Sequence, residues 1–311
     1  MTKPTIFVVA ATGTQGGAVA RLAIKHQWAV HATARDPDSI AARSLASVGV
    51  RITRGDWDDE TALQEGITGC NMLFLNLFPD FVDQTHERRQ AQRIIRIARD
   101  AGVKHVVYSG AFPPVKTPSI TQHQLDLFQN HWITKMAHDK FKLMDDVKEA
   151  GFDHWTILRP GFFMANFVLP KAAFFGDIHQ TGVWSQGLLP STQVPLIDHE
   201  DIAKFTVAAL DNPERYGGQT ICLAGELLTP DEIVRLISET SGKNIRAKYL
   251  SDEEFEEAVA KTPPSVMQLF MRDMSQCVDM EELKDWGIPL GGFKAFLSRE
   301  KGSVDETYAA L

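Results

Sequence analysis

The chain has 311 residues, 44% of them hydrophobic and 23% charged, with a formal net charge of −8. That length can bury a large α/β core, no apolar run approaches the roughly 20 residues of a membrane span, and the acidic balance excludes a general nucleic-acid-binding face. Cys70, Cys222 and Cys277 are odd in number and form no C-x-x-C pair, which fits a reducing compartment. A first strand that starts within a few residues of the N-terminus leaves no room for a secretory signal, so the expected location is cytoplasmic.

The first apolar run, Ile6-Phe7-Val8-Val9, leads into Ala10-Ala11-Thr12-Gly13-Thr14-Gln15-Gly16-Gly17 and then into a helical pattern at 16–27. Further strands are expected at Val30–Ala34, Val50–Arg54, Met72–Leu77, His105–Ser109 and Trp155–Arg159, with helices at 38–48, 60–66, 84–101 and 134–150. Strands alternating with helices predict a doubly wound parallel sheet of Rossmann type, which binds ligands at the carboxyl ends of its strands. From Pro160 the alternation loosens into an aromatic-rich run, Gly161–Phe167, and a stretch punctuated by Gly176, Gly182, Gly187 and Pro190. A helix from Asp198 to about Leu210, a strand near 219–224, a helix capped at Thr229-Pro230-Asp231-Glu232 and helical segments at 251–260 and 264–277 complete the chain. The expected organisation is a nucleotide-binding Rossmann domain over 1–160 and a smaller α/β substrate or lid domain over 161–311. Part of the chain near 190–225 is expected to return to the Rossmann core.

Strand, glycine turn and helix in succession are the setting in which a G-x-x-G-x-x-G loop cradles a dinucleotide pyrophosphate. Glycines let the backbone approach the phosphates, and the free N–H groups of the helix start supply positive potential. Here the three positions read Ala10, Gly13 and Gly16, so the first glycine is replaced.

Three stretches resemble the NmrA-like family, the atypical short-chain dehydrogenase/reductases common in fungi: Ala11-Thr12-Gly13-Thr14-Gln15-Gly16-Gly17, the block Trp155–Asn166 with Leu158-Arg159-Pro160-Gly161-Phe162-Phe163 at its centre, and Pro195–Ala203. The resemblance covers roughly residues 4–250. It implies a Rossmann domain that prefers NADP(H) and a small C-terminal substrate domain. Family members include reductases and also redox-sensing regulators that bind the nucleotide without turning it over, so membership alone does not fix the function.

Ala11, Thr12, Gly13, Thr14, Gln15 and Gly16 are the expected pyrophosphate cradle. Arg35 stands just after the second strand, where an acidic residue would bind a ribose 2′-hydroxyl; an arginine there suits a 2′-phosphate, although Asp36 follows it directly. Gly55-Asp56, with Trp57, resembles the family's adenine-edge position, and the alternative for Asp56 is the N-cap of the next helix. Asn76-Leu77-Phe78 and Ser109-Gly110, after strands four and five, are expected on the ribose and nicotinamide side. Pro160 and Phe163, after strand six, are placed at the cofactor as well, with core packing the alternative for Phe163.

Short-chain dehydrogenases use a Tyr-x-x-x-Lys pair, in which the lysine binds the nicotinamide ribose and lowers the tyrosine pKa. None of the tyrosines at 108, 216, 249 and 308 has a lysine four positions later. Two lysines compete for the family position. Lys140 stands eleven residues before Gly151, the family spacing, and Met136 then occupies the tyrosine position; Lys135, in His131-Trp132-Ile133-Thr134-Lys135, resembles another family wording and offers His131 as a proton donor. Lys140 is preferred, because it keeps the downstream helix in register without an insertion.

His123, His131 and His138 recur at intervals of eight and seven; a metal site would also need a carboxylate on that face and a dry second shell, and loosely spaced histidines in a polar stretch more often face solvent, so no metal is expected. Arg88, Arg89, Arg93, Arg96 and Arg99 form a basic helix face, either solvated or available to a protein partner. Asp198 and Asp201 read as helix-start carboxylates, and Met267, Leu269, Phe270 and Met271 as pocket lining or core. The expected function is an NADPH-dependent reductase of a small carbonyl or enone, the substrate held between the loop at 110–133 and the 160–190 segment. The alternative is a non-catalytic NADP(H) redox sensor that docks a regulatory partner.

Overall fold

The computed structural model describes residues 3–80, 82–83, 85–112, 121–130, 132–174 and 176–311. In chain order it begins β1 (Thr5–Val8), α1 (Thr14–Lys25), β2 (Ala29–Ala34), α2 (Ile40–Ser47), β3 (Arg51–Arg54) and α3 (Glu60–Ile67). There follow β4 (Met72–Leu75), α4 (His86–Asp100), β5 (His105–Ser109), α5 (Gln122–Asn130), α6 (Trp132–Glu149) and β6 (His154–Pro160). The remainder comprises β7 (Phe162–Phe163), α7 (Ile178–Thr181), β8 (Val183–Gln186), β9 (Val194–Ile197), α8 (His199–Asp211), α9 (Pro213–Tyr216) and β10 (Gln219–Leu223). Beyond it lie β11 (Glu226–Leu228), α10 (Pro230–Ser241), β12 (Arg246–Tyr249), α11 (Asp252–Lys261), α12 (Met267–Met271), α13 (Met280–Asp285), α14 (Phe293–Arg299) and α15 (Lys301–Thr307).

The chain divides into two compact units, the first made of Met1–Ala111, Met136–Arg159 and Ile202–Ile221, the second of Phe112–Lys135, Pro160–Asp201 and Cys222–Leu311. The main sheet has the strand order β10-β6-β5-β4-β1-β2-β3. The neighbours from β3 to β6 pair in parallel, with Ile6 opposite both Val30 and Met72. This is the Rossmann-type arrangement, with the strand order reversing between β1 and β4. β1 and β4 are buried at every position, as a strand covered on both faces requires. Phe7, Leu73, Tyr108 and Ile157 from the strands meet Leu63, Ile67, Ile94, Leu143 and Val147 from the helices in one core.

The second unit holds a small sheet in which β9 pairs antiparallel with β11 and parallel with β7, and a separate parallel pair, β8 with β12. Gly161 enters it at a point where only a glycine fits. A Cβ there would stand 2.3 Å from the Pro195 carbonyl oxygen, and its N–H donates to the Leu223 carbonyl at 2.9 Å. The core centres on Phe167, Trp184, Phe293 and Phe296, and the Tyr308 hydroxyl donates to the Phe167 carbonyl at 2.9 Å. Capping boxes at Thr229 and Ser251 start α10 and α11. The segment expected as one helix over 264–277 is instead α12 between two 3-10 turns, Pro263–Val266 and Met274–Cys277. Among the described residues no helix is long and apolar enough to cross a membrane.

Asp198 and Asp201 act as ties within this unit. The buried Asp198 carboxylate receives the Arg299 guanidinium as a fork, at 2.6 and 3.0 Å, and Asp201 accepts the Gly291 N–H at 2.8 Å. Removing one partner of such a pair leaves a buried charge uncompensated. Arg299→Met is therefore expected to destabilise the protein by about 3 kcal/mol in urea unfolding, while Lys294→Met, at an exposed position on the same helix, changes it by less than about 0.5 kcal/mol.

Candidate functional site

At the end of β1 the Val9 N–H still donates to the Phe74 carbonyl at 3.0 Å, and the chain then reverses. Ala10 takes a left-handed backbone, φ 54°, and its carbonyl accepts the Gly13 N–H at 2.9 Å. The same carbonyl oxygen lies 2.3 Å from where a Cβ on Gly16 would stand, so a side chain at position 16 would push the turn apart. α1 starts with Gly13 as an extended N-cap; no side chain caps it and its first turn has no acidic residue. The first-turn N–H groups and the positive end of the helix dipole are thus available to an anion at the carboxyl edge of β1, beside the reversal of strand order. A cradle that a Cβ would fill and an uncapped helix start fit a dinucleotide pyrophosphate.

Gln15 joins this turn to two further strand ends. Its amide donates to Asn76 Oδ1 at 3.4 Å and accepts from the Ser109 hydroxyl at 2.7 Å. The structure thereby brings together Gln15, from the first turn of α1, with Asn76 and Ser109, from the ends of β4 and β5. Thr12 and Gly13 are exposed and Thr14 is half-buried, whereas Ala11 and Leu77 are buried. β4 ends at Leu75, two residues earlier than expected, which leaves Asn76 and Leu77 beyond the strand and Phe78 64% exposed.

Arg35 follows β2 directly, is exposed, and has no hydrogen bond or ion pair among the described residues. The neighbouring Asp36 is turned to its own backbone, accepting the Asp38 N–H at 3.0 Å. Asp56 does the same, accepting the N–H groups of Asp58 and Asp59 at 2.9 and 3.1 Å. It is not the cap of α3. Asp59 holds that place, accepting from the Ala62 N–H at 3.0 Å. Trp57 packs against the main core, and its carbonyl accepts from Arg93 at 2.9 Å.

A histidine missed in the sequence fixes this loop. His86 Nδ1 bonds Asp80 at 2.8 Å and Nε2 bonds Asp58 at 2.9 Å, so the imidazole bridges the segments that follow β4 and β3. The hydrogen bond to Asp80, followed by that to Asp58, holds the His86 pKa above its ordinary value. Asp58 also accepts from Gln90 and Arg93, both at 2.8 Å.

Lys140 lies on α6, and its Nζ is 2.5 Å from the carboxylate of Glu87 on α4, whose side chain is buried. One turn further along α6, the Met144 methyl stands 3.0 Å from the Cβ position of Gly110, just past β5. α6 leads down into β6, so a residue four positions earlier lies about 6 Å toward the carboxyl edge of the sheet. Lys135 is five positions before Lys140, about 140° around a helix, so the two cannot serve one position. The side chain of Lys135 and the whole of His131 lie outside the described residues, as do residues 113–120 of the expected substrate loop.

Tyr108, beside Ser109, does not stand in for the absent tyrosine. It is fully buried, its hydroxyl has no hydrogen-bond partner among the described residues, and burial, with Glu87 and Asp146 nearby, pushes its pKa well up. Pro160 and Phe163 belong to the second unit, where Pro160 is buried and the Lys171 ammonium lies 5.7 Å from the Phe163 ring centre. Met271 is part of that unit's core and Leu269 is buried.

Four of the five arginines on the basic face of α4 are paired with carboxylates of the same chain. Arg88 forks onto Asp146, Arg89 pairs with Asp83, Arg93 with Asp58 and Arg96 with Glu60, while Arg99 lies over the Phe152 ring. His123 pairs with Glu256 at 2.6 Å, and no cluster of three or more metal-binding side chains occurs among the described residues. Glu87 escaped the sequence reading, although one signal was available. It falls on the apolar face of α4, in step with Gln90, Ala91, Ile94 and Ala98, and an acidic residue on a buried face needs a partner.

The description of the NmrA-like family matches residues 2–300. The NmrA-like family domain-containing oxidoreductase FrzB of Cladobotryum sp. is 28% identical over 261 residues, spanning 78% of this chain and 74% of that protein. An NAD(P)H azoreductase of Xenophilus azovorans is 29% identical over 259 residues, spanning 82% and 80%. Among solved structures, the negative transcriptional regulator NmrA in complex with NAD superposes with a TM-score of 0.74 at 17% identity, covering 99% of this chain and 98% of that one. That likeness is one of fold.

Two measurements check this geometry. Ala10→Gly is expected to stabilise the protein by about 0.5–1 kcal/mol in urea unfolding by relieving the left-handed alanine, whereas Gly16→Ala is expected to destabilise it strongly. His86, with its folded-state pKa raised, contributes stability fully present below its unfolded value and lost as pH rises through the folded one. The gap in unfolding midpoint between wild type and His86→Gln is therefore expected to be wide at pH 6 and to narrow at pH 9.

Proposed function

The chain belongs to the NmrA-like family, and on that premise we propose that it is an NADPH-dependent oxidoreductase acting on small conjugated acceptors, carbonyls and enones. The observation that carries the reading is the turn after β1, with its uncapped α1 start, its obligatory Gly16 and the Gln15 link to Asn76 and Ser109. The oxidoreductase and azoreductase relatives support the same class of chemistry.

In this reading Ala11 to Gly16 hold the pyrophosphate through first-turn N–H groups. Arg35, free at the end of β2, takes the 2′-phosphate through a charge-assisted fork. Asp56 and Trp57 flank the adenine, and Asn76, Leu77, Phe78, Ser109 and Gly110 line the ribose and nicotinamide side. Lys140 binds the nicotinamide ribose. The bound cofactor supplies a hydride. No tyrosine acid accompanies Lys140, which favours acceptors whose conjugation spreads the incoming charge until water protonates it. The paired state of the α4 arginines gives no support to docking through that face.

Titration of the purified protein with NADPH, NADH and their oxidised forms tests the assignment. Arg35→Ala is expected to weaken NADPH binding about 10-fold or more and to leave NADH unchanged; equal affinity of the wild type for the two nucleotides would sink the 2′-phosphate role. Lys140→Ala is expected to weaken both, with Lys135→Ala the control. NADPH that binds tightly yet stays unoxidised across a panel of quinones, enones and azo compounds would leave the redox-sensor reading in possession.

A further inference from the structure

We infer that Glu87 is a positioning residue for the nicotinamide half of the cofactor, acting through Lys140; the inference rests on the reading of Lys140 as the ribose ligand. A lysine ammonium has three N–H donors and a flexible four-carbon stem, so by itself it is a poorly aimed ligand. Here one donor is held by Glu87 Oε1 at 2.5 Å, and the Glu87 carboxylate is buried on the apolar face of α4. Two donors remain, as many as the hydroxyls of a ribose.

Joining α4 to α6 does not by itself account for the pair. The next residue on α4, Arg88, already forks onto Asp146 of α6 at 2.7 and 2.8 Å, and Gln92 bonds the same carboxylate at 3.1 Å. The two helices also share an apolar core through Ala91, Ile94, Leu143 and Val147. A second, buried ion pair adds little to such a joint, because the desolvation of both charges offsets their attraction. The pair's position is more telling. It stands one turn beyond Met144, toward the edge where β5 ends in Ser109, with Gly110 just past it. Of the neighbouring charged and titratable groups, Tyr108 of β5 feels the charges of Glu87 and Asp146, Arg88 of α4 binds Asp146 and feels Asp139, and Arg159 of β6 lies against the Met144 sulfur.

The test compares two ligands on the full chain: NADPH, and adenosine 2′,5′-bisphosphate, which carries the adenine half alone. Glu87→Gln is expected to weaken NADPH about tenfold and to leave the bisphosphate within twofold of wild type. Glu87→Asp is expected to recover most of the NADPH affinity. In a Lys140→Met background, Glu87→Met is expected to cost no further affinity, and this apolar double variant suits the buried site should the glutamine variant not fold. Equal weakening of both ligands, or a full Glu87 effect without Lys140, would overturn the inference. A wild type that binds the bisphosphate but gains nothing from the nicotinamide half would overturn the Lys140 reading beneath it, and one that binds neither ligand would overturn the nucleotide reading itself.

Discussion

The first unit's carboxyl edge is organised by one close approach, that of the Ala10 carbonyl to the Cα of Gly16. Because no Cβ intervenes, α1 can start six residues after β1 ends, and its open end comes directly over the point where the strand order reverses. A left-handed alanine costs about 1 kcal/mol, and the Gly13 hydrogen bond to its carbonyl helps to hold it in place. Gln15 then falls where it reaches Asn76 and Ser109 together. The meeting of the α1 start with the ends of β4 and β5 follows from that contact.

On the proposed reading, an acidic chain that holds an anionic nucleotide has to arrange its charges locally, since interactions beyond about 8–10 Å are screened. The arrangement is visible along this edge. Asp36 and Asp56 face their own backbone N–H groups, and Asp58 and Asp80 are occupied by His86. The arginines of α4 are matched by carboxylates or stacked on an aromatic ring, while Arg35 is left free at the end of β2. The net charge of −8 is therefore no guide to the potential at the cradle.

What could be read from the chain beforehand follows from the range of each interaction. The strands and helices of the first unit are written in local periodicity, and the expected β2, β5 and β6 fall within a residue or so of the observed ones. The places of Gly16 in the tight turn and of Arg35 just past β2 are legible because each depends on its offset from a strand end. The partnership of Lys140 with Glu87 joins residues 53 apart, and that of His86 with Asp58 joins residues 28 apart; no local pattern encodes them. In the second unit the strands β8, β9 and β12 have four residues each, too short for alternation to stand out from the glycines around them. Asp56 misleads for a different reason. Asx turns and N-caps use the same carboxylate-to-N–H bond, and only the position of the first helical residue, Glu60, tells them apart.

At β5 the described structure supplies no substitute for the absent Tyr-x-x-x-Lys tyrosine. Successive strand residues face opposite ways: Ser109 turns to Gln15, and Tyr108 turns into the core among Leu143 and Met144. A phenol desolvated to that degree is held neutral and lies away from solvent, so it cannot exchange a proton with a bound acceptor. Lys140 stands one turn before Met144 on α6, toward the same edge of the sheet, and an ammonium there acts by its field and its donors. On the proposed reading, the chemistry moves toward acceptors that can carry a negative charge on their own oxygen or nitrogen. The aim of that ammonium, set by Glu87, then matters more than the identity of any side-chain acid.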